Sequence, residues 1–415
     1  MKSEISGNSW LVWGIATLFY LYELVLRVSP SVMTNELMST FGATSTTLGV
    51  LISFYYYSYT VLQIPCGLIL DKLGPLNILA ISALFCVFGA ALFAGYDKLF
   101  IAQIGRFLIG AGSACAFVSC LQITAHLFPK KYFVILAGVT NMMGTVGGLL
   151  GGFPVAKAVG CIGWRNTTLI LGLIGILIIV CIFLFVPKKI DITDAEKPTE
   201  SVASSVMKLL KNSQIVLSGI IAGMLYLPIS AFSELWAIPF FMSKYGISSE
   251  QASLASAALF IGVAIGSLVL AIFARKMQSY TKAIKIGSIG CMLSFIPLLF
   301  VPCSLYTAFF IVFCVGFFTG AQVINFTCAK NNATKELAGT AVAFTNCIVM
   351  LVGSIFQPLL GVLLDVFWTG KISETGCRIY DISCYKMAIM TLPVCILVAY
   401  ILSIFQKETI QNEID

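Results

Sequence analysis

Glu23 and Arg27 stand four positions apart inside an apolar run that begins at Trp10. Residues at that spacing share one face of a helix, so the carboxylate and the guanidinium are expected to pair. A charge in hydrocarbon is costly and is kept only where a partner, water or a bound solute compensates it. Tyr20, one short turn earlier, is placed to donate a hydrogen bond to Glu23. Burial favours the neutral carboxyl and a neighbouring guanidinium favours the charged one. A solute competing for Arg27 would therefore free Glu23 to take a proton. The competing reading is a structural pair that bridges helices and never titrates.

Arg106, in a later apolar run, supplies a second guanidinium, and with Arg27 it could hold a carboxylate through paired donors. Glu234, close to Trp236, is the matching acid in the second half of the chain and could bind an amine, so the two poles together suit a zwitterion. The run Phe54-Tyr55-Tyr56-Tyr57-Ser58-Tyr59 sets phenols on more than one helical face. Tyr56 and Tyr57 are the candidates for touching solute, and the outward phenols suit a membrane interface. Tyr226, Gln322, Asn325, Asn346 and Gln357 are further polar residues in apolar runs, each as well suited to joining helices as to touching solute. His126 is the single histidine and has no carboxylate beside it, so neither a metal site nor a cofactor is expected. Nothing gathers into a catalytic constellation, and an enzyme is not expected.

The elements that must position these residues follow from composition. Of 415 residues 59% are hydrophobic and 10% charged, with a mean hydropathy of +0.98, whereas soluble domains are about a quarter charged. Apolar runs of about 20 residues each cross roughly 30 Å of hydrocarbon. Twelve such runs can be drawn, from Trp10 to Met33 and Leu48 to Leu70 through to Lys386 to Phe405. They are continuous rather than alternating, which excludes a strand barrel. The reading is an all-α polytopic membrane protein of twelve transmembrane helices. The first run is a full span rather than a cleaved signal, because it lacks a small-residue cleavage site. Lys130, Lys131, Lys188, Lys189, Arg275 and Lys276 fall on one side, which places both termini in the cytoplasm. The net charge of +7 is thus a matter of loops, and nucleic acid is not an expected partner. Most of the 14 cysteines, Cys66 and Cys115 among them, lie in apolar runs and read as small hydrophobes. Cys377 and Cys384, in a polar loop, read equally as free thiols or as a local disulfide.

The longest polar stretch, residues 188–212, divides the chain into two six-helix bundles at 1–187 and 213–415. Thr140-Asn141 recurs as Thr345-Asn346, with Gly148 opposite Gly353 and Gly110 opposite Gly316. The shared offset of about half the chain argues for a duplicated six-span unit.

Between the second and third runs stands Gly67-Leu68-Ile69-Leu70-Asp71-Lys72-Leu73-Gly74-Pro75, which resembles the cytoplasmic loop motif of the major facilitator superfamily. The basic residues that usually follow are replaced here by Pro75, Leu76 and Asn77. Arg106 ahead of Gly110 and Gly112 is similar to the family's fourth-helix motif, and Gly144 to Pro154, with Gly147, Gly148 and Gly151, to its fifth-helix motif. The resemblance covers nearly the whole chain. It implies two pseudo-symmetric bundles that rock about a central cavity, with Gly67, Asp71, Gly74, Gly147, Gly148, Gly151 and Pro154 as gating positions. The segments Tyr22 to Pro30 and Glu234 to Pro239 look like bacterial nutrient carriers, including those that intracellular bacteria use for amino acids.

The expectation is a monomeric secondary transporter in a bacterial cytoplasmic membrane. It would move an amino acid, peptide or other carboxylate-bearing nutrient with protons, and its partners would be solute and lipid bilayer. The alternatives are an exporter of a drug or siderophore, and a sensor that binds solute without moving it.

Overall fold

A computed structural model describes residues 7–185, 202–334, 337–373 and 376–410. Among these, eleven helices are long and apolar enough to cross a membrane, and a bent pair, Thr34–Phe41 with Ser45–Gln63 turned by 108°, brings the number to twelve. The chain is an all-helical, multi-pass membrane protein.

Four spans are interrupted where small residues or proline weaken the helical ladder. The fourth runs Leu99–Ser113 and then Ala116–Leu127, and the tenth Leu305–Thr319 and then Gln322–Asn331. The twelfth breaks between Ile382–Ile389 and Thr391–Ile404. The seventh begins as Ser213–Leu227, passes into a π-helix at Pro228–Trp236 and resumes as Ala237–Tyr245. Pro228 has no N–H to give the preceding turn, and the wider π turn follows from that point.

Packing divides the chain into two units, Met1–Ser29 with Phe54–Thr199, and Pro30–Ser53 with Glu200–Asp415. In the first, span 1 (Gly7–Val28) packs on span 5 (Lys130–Ile162), and span 3 (Pro75–Gly95) on spans 4 and 6 (Trp164–Phe185). In the second, span 7 packs on span 11 (Ala338–Val366), and span 9 (Tyr280–Phe300) on spans 10 and 12. Each pairing recurs six spans later, as a duplicated unit requires. The repeat extends to single contacts. A Cβ on Gly110 would strike the Tyr55 carbonyl oxygen, and one on Gly316 would strike that of Leu259 in span 8 (Ser249–Lys276). Both glycines let two backbones meet, the role of small residues in membrane helices.

Part of the expected linker, residues 188–201, lies outside the described residues. Val202–Lys211 is helical and buries Leu209 against Ile215, Ala329, Ala341 and Phe344. Gly67 and Asp71 fall in the last turns of Ser45–Leu73, but their side chains lie outside the described residues. Gly74 follows with a φ of 75°, a left-handed turn that ends span 2 and leads into Pro75.

The cysteine reading needs one correction, at Cys66 and Cys115, while of the two readings of Cys377 and Cys384 the structure has the free thiols. Cys66 and Cys115 form a disulfide, with Cα atoms 5.7 Å apart, tying span 2 to the break in span 4. Cys377 and Cys384 are free, and the Cys384 thiol instead donates to the Phe367 carbonyl at 3.1 Å. Buried thiols in separate apolar runs carry no sequence mark of proximity, whereas nearness in a loop suggests a bond that the backbone does not make.

Candidate functional site

The first unit gathers Glu23, Arg27, Tyr55, Tyr56 and Arg106, all within 5% of full burial. Span 1 supplies the acid and the first arginine on one face. The Tyr55 hydroxyl donates to Glu23 Oε2 at 2.8 Å, and Arg27 donates from Nη2 to the Tyr56 hydroxyl at 2.8 Å. Adjacent tyrosines on one helix thus serve opposite charges, because consecutive side chains diverge by about 100° around the axis.

Arg106 donates from Nη1 to the Leu26 carbonyl at 3.0 Å, which fixes span 4 to span 1. Its guanidinium carbon lies 5.1 Å from the Tyr55 ring centroid, and that of Arg27 lies 5.7 Å from the same ring. Arg27 is also 4.9 Å from the Tyr56 ring. Aromatic faces attract desolvated cations and hold both guanidiniums here.

Tyr55 is the residue that sequence reasoning missed. It stood in the tyrosine run, and nothing in its type separated it from its neighbours. Tyr57, singled out instead, faces outward against Phe54, with ring centroids 5.6 Å apart. Tyr20 packs on Phe117 at 5.2 Å and closes over Gly144, whose Cβ would lie 2.5 Å from the ring.

Span 5 supports this arrangement from behind. Gly147 meets Leu21 and Leu24, Gly151 meets Val25 and Val28, and buried Gly148 lies between them. The glycines bring span 5 against the face of span 1 formed by Leu21, Leu24, Val25 and Val28, away from Glu23. Pro154 follows inside the same helix, on its exposed side.

In the second unit Glu234 is buried in the π-helix, one turn from a separate network. Trp236 donates its indole N–H to the Gln357 carbonyl at 3.2 Å, and Gln357 donates its side-chain amide to the Ser230 carbonyl at 2.7 Å. Gln357 therefore ties span 11 to both ends of the π segment. Asn325 belongs elsewhere, accepting from Gln406 at 3.2 Å together with Ser218 at 2.9 Å. Gln322 is buried, whereas Tyr226 and Asn346 are half-buried.

Residues 11–358 match the family model described as Major Facilitator Superfamily. The probable sulfoacetate transporter SauU of Cupriavidus necator is 26% identical over 42% of this chain and 41% of its own length. The probable galactarate/D-glucarate transporter GudP of Bacillus subtilis is 22% identical over 80% of each. The hexuronate transporter of Escherichia coli is 26% identical over 41% of this chain and 39% of its own. The matched region thus spans about two fifths of the first and third of these relatives. A bacterial homologue of the human lysosomal transporter Spinster, in an inward-facing and unoccupied conformation, superimposes with a TM-score of 0.79. It is 16% identical and aligned over 97% of both chains, so the likeness concerns the fold.

Proposed function

The chain belongs to the major facilitator superfamily of membrane transporters, and from that premise we propose that it carries a small carboxylate-bearing solute by alternating access, in symport with protons. The membrane is the bacterial cytoplasmic one, with both termini inside, and the carrier works as a monomer.

One arrangement carries the reading: Arg27 and Arg106 both lie over the ring of Tyr55, whose hydroxyl holds Glu23. Among the described residues of this cluster two guanidiniums stand with one carboxylate, which leaves the group attractive to a further anion. Arg27 offers planar paired donors to such an anion. Neutralising Glu23 removes a charge that repels a second carboxylate, and by linkage the bound carboxylate favours the proton. Proton and solute would then travel together.

The relatives' names support an organic acid: sulfoacetate, galactarate or glucarate, and hexuronate. Each such solute bears a carboxylate, as amino acids and peptides do.

The test is uptake into proteoliposomes with and without an inward proton gradient. The panel comprises sulfoacetate, glucuronate, glucarate, amino acids and dipeptides, and Arg27→Gln is compared with the native protein. Gradient-driven accumulation of an acid that the variant loses supports the reading. Transport that runs only outward would replace it with export, and binding without movement would replace it with a sensor.

A further inference from the structure

The outer end of span 2 is secured by span 11 and by the loop behind it. Within the second unit, residues 45, 49 and 53 of span 2 run antiparallel to residues 365, 361 and 357 of span 11, so both helices present one face at steps of four. Ser53 donates to Gln357 Oε1 at 3.4 Å. A Cβ on Gly49 would lie 2.8 Å from the Gln357 carbonyl oxygen and from the Pro358 Cα. One on Gly361 would strike the Ser45 carbonyl. At the end of this seam Asp365 Oδ2 accepts from the Thr46 backbone N–H at 2.9 Å and from its hydroxyl at 2.5 Å. Its other oxygen accepts from Arg378 at 2.9 Å and from Tyr380.

Asp365 lies in the last turn of its own helix, where the negative end of the dipole disfavours a carboxylate. It lies against the first turn of span 2, where the positive end favours one. The first-turn donors of span 2 are met accordingly. Ser45 N–H goes to the Tyr380 hydroxyl at 3.1 Å, Thr46 N–H to Asp365, and Thr47 N–H to the Thr44 hydroxyl at 3.3 Å. Two of the donors that a helix start leaves over are thus satisfied from residues more than 300 positions away.

We propose that Asp365 is a detachable cap on span 2, a latch that fastens the ends of spans 2 and 11 on the side opposite the termini and must let go once in each transport cycle. The proposal rests on the alternating-access reading above. The side follows from counting, since the loops after spans 1 and 11 both come after an odd number of crossings. The position suits repeated release. Thr46 and Asp365 are only partly buried, so water can take over their hydrogen bonds when they part. Deeper in the seam the helices meet through glycine and backbone, without a strong bond to break.

The test labels a thiol introduced by Ser53→Cys, at a wholly buried position, with a polar maleimide on the full chain in nanodiscs. The unsubstituted chain supplies the background of native thiols. Because Asp365 accepts several charge-assisted hydrogen bonds, Asp365→Ala should raise the labelling rate about tenfold. Thr46→Val, which loses the hydroxyl alone, should raise it by a smaller factor. Equal labelling in the presence and absence of either substitution, in monodisperse protein, overturns the latch. If Asp365→Ala does not fold, the Thr46→Val rate decides. Solute does not enter this readout, so failed uptake would defeat the proposed function and leave the latch standing.

Discussion

The Tyr55 hydroxyl donates to Glu23 Oε2 at 2.8 Å, and the ring that carries it also faces the guanidiniums of Arg27 and Arg106. A single side chain therefore orients the acid and spaces two cations. Tyr55→Phe keeps the ring and loses the donor. Solute exchange should persist in this variant while the pH profile of gradient-driven uptake moves. Glu23→Gln should abolish accumulation yet retain exchange, and normal accumulation by Glu23→Gln would rule the acid out of coupling.

Arg27→Lys tests the planar fork. A lysine keeps the charge but cannot both donate to Tyr56 and present paired donors to a carboxylate. Uptake of the acid should fall by about tenfold or more, since a charged hydrogen bond is worth about 1.5–3 kcal/mol. Arg165→Lys is the contrast. Arg165 pairs with a largely exposed Asp97 and stacks on Trp164 at 4.6 Å, and loss of so exposed a pair costs about 0–1 kcal/mol.

Glu408, past the last span, makes stability depend on acid pH. Its carboxylate accepts from Ser279 at 2.6 Å and from the backbone N–H groups of Tyr280 and Thr281, at the start of span 9. Burial pushes this carboxyl up, but the hydrogen bonds from Ser279, Tyr280, Thr281 and Thr409 outweigh it and hold it at about 2, below its ordinary 4.5. A depressed carboxyl stabilises the fold above its unfolded value and loses that contribution as pH falls through the folded one. Glu408→Gln should therefore unfold more easily at pH 7, by about 1 kcal/mol for a lost helix cap. Thermal unfolding in detergent should show the gap closing as pH falls from 4.5 toward 2.

Thiol titration checks the cysteine assignment. With one disulfide among 14 cysteines, the unfolded, unreduced protein should show 12 reactive thiols. Reduction should bring the number to 14, and peptide mapping should join Cys66 to Cys115. A titre of 14 before reduction would count against the bond.

Twelve spans, their duplication and the burial of Glu23, Arg27, Arg106 and Glu234 were legible in the sequence, because a membrane makes apolar length and charge placement nearly sufficient to define helices. The glycines at 110 and 316 were legible as a repeat, since only close helix contact explains them in both halves. Which tyrosine serves Glu23 was not legible, because side chains one residue apart differ only in the direction that tertiary packing gives them. Nor was Asp365, which the sequence shows as one acid at a helix end and the fold turns into the cap of a helix more than 300 residues earlier. The disulfide of Cys66 and Cys115 belongs to the same class. Sequence determines what each helix is made of, and only the packing of helices decides which polar groups meet, because hydrogen bonds and thiol bonds depend on distances that chain separation does not fix.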